Sequence, residues 1–201
     1  MTYFPRGLRT LGWAFALLCT LGSIAACSDY DEARRVYVAG RYDDAFSRML
    51  KLAQAGDNRA QYDVAMMYVQ GIGTKKDLEV GFGWMIEAGK SGNVGAMNEL
   101  GAIYESGVGA ARNLGVAFQW YMRAAKSNDP VGLFNAANML SRGIGVPQDV
   151  IRGWALYMRA AANGTLTGRV RADQMEETMS AAQMKEARAL LKRLEDDPAS
   201  E

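Results

Sequence analysis

The chain has 201 residues, 49% of them hydrophobic and 22% charged, and its 23 basic and 22 acidic side chains leave a formal net charge of +1. That composition suits a folded chain rather than a disordered one, and the absence of a basic field argues against a nucleic-acid partner. Histidine is absent, which removes the usual base of a nucleophilic triad and the commonest zinc ligand.

Residues 1–26 place Arg6 and Arg9 ahead of a mostly apolar run from Leu11 to Ala26 that ends in small residues. This is the order of an export signal, and the run is short of the about 20 apolar residues a spanning helix needs, so it is read as removed. Its loss leaves 21 basic against 22 acidic residues, a net charge of −1. Ile24-Ala25-Ala26-Cys27 resembles the bacterial lipobox, a branched apolar residue and two small ones before a cysteine. The resemblance implies that Cys27 carries lipid and, multiply acylated, anchors the chain stably to a bilayer. The other reading of Cys27 is a small residue beside a general signal-peptidase site. Ser28, where an Asp would imply retention, implies passage to the outer membrane of a Gram-negative envelope, with the chain facing the periplasm. Cys19 leaves with the signal, so neither an internal disulfide nor a thiolate metal site or cysteine nucleophile is expected.

Residues 27–32 are expected to form the lipidated anchor and a short polar linker. At 33–55, Ala33, Val36 and Tyr37 followed by Gly40-Arg41-Tyr42-Asp43-Asp44-Ala45 resemble a partial tetratricopeptide hairpin. From Gly56 the pattern recurs strictly every 36 residues. Asp57, Asn93, Asp129 and Thr165 form one column of helix-start residues, and Asp77, Asn113 and Asp149 a second; both suit the free N–H groups of a first turn. Between the columns lie Gly71-Ile72-Gly73, Gly107-Val108-Gly109 and Gly143-Ile144-Gly145. The first glycine of each is expected at the C′ position of a helix in left-handed conformation, with the apolar residue tucked beneath the hairpin.

Apolar columns flank these turns at spacings of three and four. Val64, Leu100 and Ala136 lie on the first helix of each hairpin, and Phe82, Phe118 and Trp154 on the second. Small residues at Gly81, Ala117 and Gly153 allow close backbone approach, so large and small side chains interdigitate in register. Residues 56–164 resemble three Sel1-like repeats, relatives of tetratricopeptide repeats. Ala96, Leu100-Gly101-Ala102-Ile103-Tyr104, Gly107-Val108-Gly109, Trp120-Tyr121 and Ala124-Ala125 match the family pattern most fully. The implied fold is all-α, an α-solenoid of stacked antiparallel helical hairpins. Residues 165–201 are expected to close it with capping helices: a polar helix from Leu166, then Ser180-Ala181-Ala182-Gln183 as a capping box.

No motif points to catalysis, to a cofactor or to a metal. Adjacent carboxylates such as Asp43-Asp44 point apart on a helix. The Gly-x-Gly steps lack the Lys-Ser or Lys-Thr of a phosphate loop. The remaining candidate is a surface, namely the first-helix positions off the buried stripe: Arg59, Tyr62, Met66, Val69, Asn98, Ala102, Glu105, Phe134, Asn138 and Ser141. In tetratricopeptide-like stacks these line a concave groove suited to an extended peptide or partner helix. Tyr62 and Phe134 could instead complete the core between hairpins. The expected role is non-catalytic binding of an unidentified envelope protein or peptide; the alternative is a cell-wall-acting enzyme or glycan binder. Replacing Cys27 by Ser is expected to abolish membrane retention, checked by fractionating cells. A processed variant that still sediments with membranes would count against lipidation.

Overall fold

The computed structural model describes residues 29–196, so the export signal, Cys27 and the tail after Asp196 lie outside the described residues. All regular structure within them is helical. The helices are α1 (29–38), α2 (Tyr42–Gln54), α3 (Asn58–Gln70), α4 (Leu78–Lys90), α5 (Val94–Ser106), α6 (Leu114–Lys126), α7 (Pro130–Arg142), α8 (Val150–Ala162), α9 (Leu166–Glu176) and α10 (Ala181–Asp196). They divide into two compact units, one ending at Gly81 and one starting at Phe82, a division that falls inside α4.

The six acidic or amide helix-start residues of the repeats do what their columns demand. Asp57, Asn93 and Asp129 accept from the N–H groups of Ala60, Ala96 and Gly132, while Asp77, Asn113 and Asp149 accept from those of Val80, Val116 and Arg152. Each bond satisfies a donor that has no partner within its helix and contributes about 1 kcal/mol. Thr165 begins α9 but makes no side-chain cap bond, so the fourth member of its column marks a helix start without capping it. Ser180 and Gln183 close the reciprocal capping box at the start of α10.

Gly71, Gly107 and Gly143 end α3, α5 and α7 with φ of 75°, 77° and 69°. After each, the far end of the loop is tied back to its helix by a backbone bond common to all three: the N–H groups of Asp77, Asn113 and Asp149 donate to the carbonyls of Tyr68, Tyr104 and Leu140 at 2.8–2.9 Å. Ile72 and Ile144 pack beneath their hairpins, as expected. Val108 does not: it is 76% exposed, so the middle residue of the second turn contributes little burial.

In the first unit α1 begins at residue 29, and the run 29–32 expected as a linker is helical. Its carboxylates sit where a helix start favours negative charge, with Arg35 donating to Glu32 one turn on. The partial hairpin expected at 33–55 is thus preceded by four more helical residues. Val36, Ala45 and Met67 form a small core against Tyr37, Phe46 and Ile72, and the Phe46 and Tyr68 rings meet edge to face at 5.2 Å.

In the second unit α5 packs on α6, α6 on α7, α7 on α8 and α8 on α9, while α10 returns to α8. Leu133, Leu140, Trp154, Leu156 and Tyr157 are buried here, joined by Ala172, Ala187 and Leu194 from the last two helices. Burying each large side chain contributes roughly 2 kcal/mol. Small residues admit the large ones: a Cβ at Gly101 would collide with the Tyr121 ring. At the turns between hairpins, Asn128 occupies the column of Gly56, Gly92 and Gly164 at φ 58°. Its amide is held by Asn163 and by buried Arg159, which ties the turn after α6 to the end of α8.

The second glycines of the turns are not equivalent. A Cβ at Gly145 would strike Leu114, 2.6 Å from its carbonyl carbon, whereas one at Gly109 would meet only Ile103, at 3.9 Å. Both have positive φ, so alanine at either is strained, but only Gly145 adds a backbone clash. Gly109→Ala is expected to cost about 1 kcal/mol and Gly145→Ala about 3 kcal/mol, measured by urea unfolding. Equal losses would mean that the contact with Leu114 does not hold the turn.

Candidate interaction site

In the first unit the expected face is partly folded inward. Tyr62 and Met66 line a cavity of about 210 Å³ together with Arg34, Tyr37, Asp63 and Gln70. Val69 packs against Gly81, where an added Cβ would lie 2.9 Å from its Cγ2. Arg59 lies elsewhere: it pairs with Asp57 at 2.6 Å and stacks 4.2 Å over the Tyr30 ring. The Tyr30 hydroxyl in turn donates to Asp63 at 2.9 Å, so a residue expected in a linker is bonded to one that lines the cavity. Burial and the neighbouring carboxylate push the Tyr30 hydroxyl well above its ordinary pKa.

In the second unit α5 offers less free surface than its spacing promised. The Asn98 amide donates to Asp129 at 2.8 Å, supporting the cap of α7. Glu105 accepts the Tyr121 hydroxyl at 2.9 Å, and Ala102 is exposed. Burial and this bond to Glu105 raise the Tyr121 pKa. Asn98 and Glu105 therefore work inside the fold, as supports for neighbouring helices.

The open surface lies between α7 and α9. Asn138, Ser141, Arg142 and buried Tyr157 line a cavity of about 460 Å³, completed by Arg171, Gln174, Met175 and Thr178. A second cavity of about 530 Å³ is lined by Phe134, Thr167, Val170, Arg171 and Gln174. Shared lining by Arg171 and Gln174 makes them parts of one groove. Phe134 serves both readings of its position: it is half-buried, its ring edge-on to Tyr157 at 5.3 Å, and it still lines the groove. The α9 wall was not expected from its polar composition, yet its register was legible. Val170 stands 36 residues after Phe134 and Gln174 36 after Asn138, which places α9 as the first helix of a further, degenerate repeat.

Among the described residues no group of three or more His, Cys, Asp or Glu side chains could hold a metal ion, and no helix is long and apolar enough to cross a membrane.

The family model for the Sel1 repeat matches residues 58–93, 94–129 and 130–165. Solved structures agree. The crystal structure of a Sel1 repeat protein from Oxalobacter formigenes is 28% identical with a TM-score of 0.61, covering 63% of this chain and 95% of that one. The crystal structure of c5321, a protective antigen present in uropathogenic Escherichia coli strains and displaying an SLR fold, is 25% identical with a TM-score of 0.66. That match covers 78% of this chain but 37% of the antigen. No curated protein matches the chain significantly.

Asp63 makes the first-unit site sensitive to pH. Burial raises its pKa against the Tyr30 hydrogen bond and the Arg34 charge, with Asp57 adding to the rise and Arg59 opposing it. The folded state therefore binds this proton more tightly than the unfolded chain. The stability it adds is present below the ordinary carboxylate pKa and is lost as pH rises through the raised folded value. Asp63→Asn keeps an acceptor for Tyr30 and removes the titration. Its melting temperature is expected to rise relative to the parent as pH increases across that window. A constant difference would show that burial does not dominate.

Proposed function

The chain belongs to the Sel1 repeat family, and from that premise we propose that it is a non-catalytic scaffold of the bacterial cell envelope. It is held to the outer membrane by lipid on Cys27 and presents a helical face to a periplasmic or outer-membrane protein. Sel1 repeats generally mediate protein–protein interaction. The observation that carries the reading is the groove between α7 and α9. Its lining from Asn138, Gln174 and Phe134 mixes amides with apolar surface, as an extended polypeptide requires: amides pair with its backbone and the apolar wall takes its side chains. The export signal and lipobox resemblance support the location.

A photo-crosslinking amino acid at position 138 or 174, used in living cells, is expected to capture a distinct protein that the same group at exposed Lys192 on α10 does not. Absence of groove-specific crosslinks would count against this role.

A further inference from the structure

The groove between α7 and α9 has a charge character that the earlier repeats lack. Arg142 and Arg171 both line it beside the Tyr157 hydroxyl, and no carboxylate does. Among the described residues neither arginine forms an ion pair, and the Arg171 guanidinium reaches only the Gln174 side-chain carbonyl, at 3.3 Å. Burial pushes the Tyr157 pKa up, while the Ser141 hydroxyl and the Arg171 and Arg142 charges pull it down. Both cations line the same cavity as the buried tyrosine.

Comparison along the 36-residue register shows that this is not a general property of the repeat. The column of Arg171 holds Asp63, Glu99 and Asn135, and the column of Arg142 holds Gln70 and Ser106. The column of Ser141 holds Val69 and Glu105, and in the second repeat Glu105 accepts the tyrosine hydroxyl. In the third repeat that carboxylate is replaced by a hydroxyl, and two guanidiniums face the equivalent tyrosine. Core packing gives no reason for such a reversal, because both arginines are exposed. Beside them Val170 on α9, which lines the groove with half-buried Phe134 of α7, remains 55% exposed.

We infer that the groove takes an extended acidic peptide of the partner, with an Asp or Glu carboxylate set against Arg142 and Arg171 and an adjacent apolar side chain on Phe134 and Val170. This rests on the interaction role proposed above and names the chemistry of its partner. Guanidiniums bind carboxylates through paired, charge-assisted N–H donors, and a peptide that covers the groove would exclude water from those bonds. The Asn138 and Gln174 amide oxygens already accept from the Tyr157 hydroxyl and from Arg171, which leaves their N–H groups to donate to the carbonyls of the peptide backbone.

The test is selection of random twelve-residue displayed peptides on the purified full chain, repeated on Arg142→Gln/Arg171→Gln, with thermal melting to confirm that the variant folds. Peptides selected by the parent are expected to be enriched in Asp or Glu next to an apolar residue. A selected acidic peptide should bind the parent about tenfold more tightly than the double variant, the scale of one charge-assisted hydrogen bond. Its Gln-substituted form should bind the two proteins alike. Selection without acidic enrichment, or an acidic peptide that binds parent and variant equally, overturns the inference while leaving a peptide-binding groove. Selection of no peptide at all overturns it too. Failure of the in-cell crosslinks at positions 138 and 174 would then remove the interaction role as well.

Discussion

The rest of the fold depends on one backbone hydrogen bond, made in each of the three turns. The N–H of Asp77, Asn113 or Asp149 donates to a carbonyl in the last turns of the preceding helix, nine residues earlier. The same residue then turns its side chain onto the next helix start. One side chain and its own N–H thereby set the end of one helix and the start of another. The spacing cannot drift, because an insertion would separate the two functions. Positive φ at the glycine that ends each first helix is what lets the chain turn sharply enough to reach that carbonyl.

Once the turns set the register, packing follows from size. Gly101 leaves room for the Tyr121 ring, and Gly89 lies against Leu100 and Trp120, so large side chains are accepted where the facing helix has none. In this arrangement polar groups inside the second unit are supports. Asn98 steadies the Asp129 cap, Glu105 holds Tyr121, and the Asn128, Arg159 and Asn163 cluster joins successive turns. The first and the last of these reach a neighbouring hairpin while Glu105 braces its own, which is why the stack gains from every repeat added.

The open groove exists because the pattern decays. At α9 the strong apolar stripe is lost, leaving Gly168 and Ala172 to bury against the stack, while Val170, Arg171 and Gln174 stay at the surface. A helix that keeps its register but gives up its bulk still forms a wall, and that wall need not be covered by another hairpin. Ser141 stands where the second repeat has Glu105, so no carboxylate answers the two arginines that line this groove.

Much was legible from the sequence because it depends on neighbours along the chain: capping residues, glycine turns and spacings of three and four specify helices and their buried faces locally. The all-α class, the 36-residue register, the six caps and the capping box before α10 were all decided there. Tertiary structure decided which off-stripe residues remain available. Spacing placed Arg59, Asn98 and Glu105 on one face with Phe134 and Asn138, but their hydrogen-bonding partners, Asp57, Asp129 and Tyr121, consume them. Likewise the acidic run at 29–32 read as a linker because nothing local shows that Tyr30 will meet Asp63, 33 residues away. Local propensity tells a residue which way to point, and only the packed neighbour determines whether anything is already there.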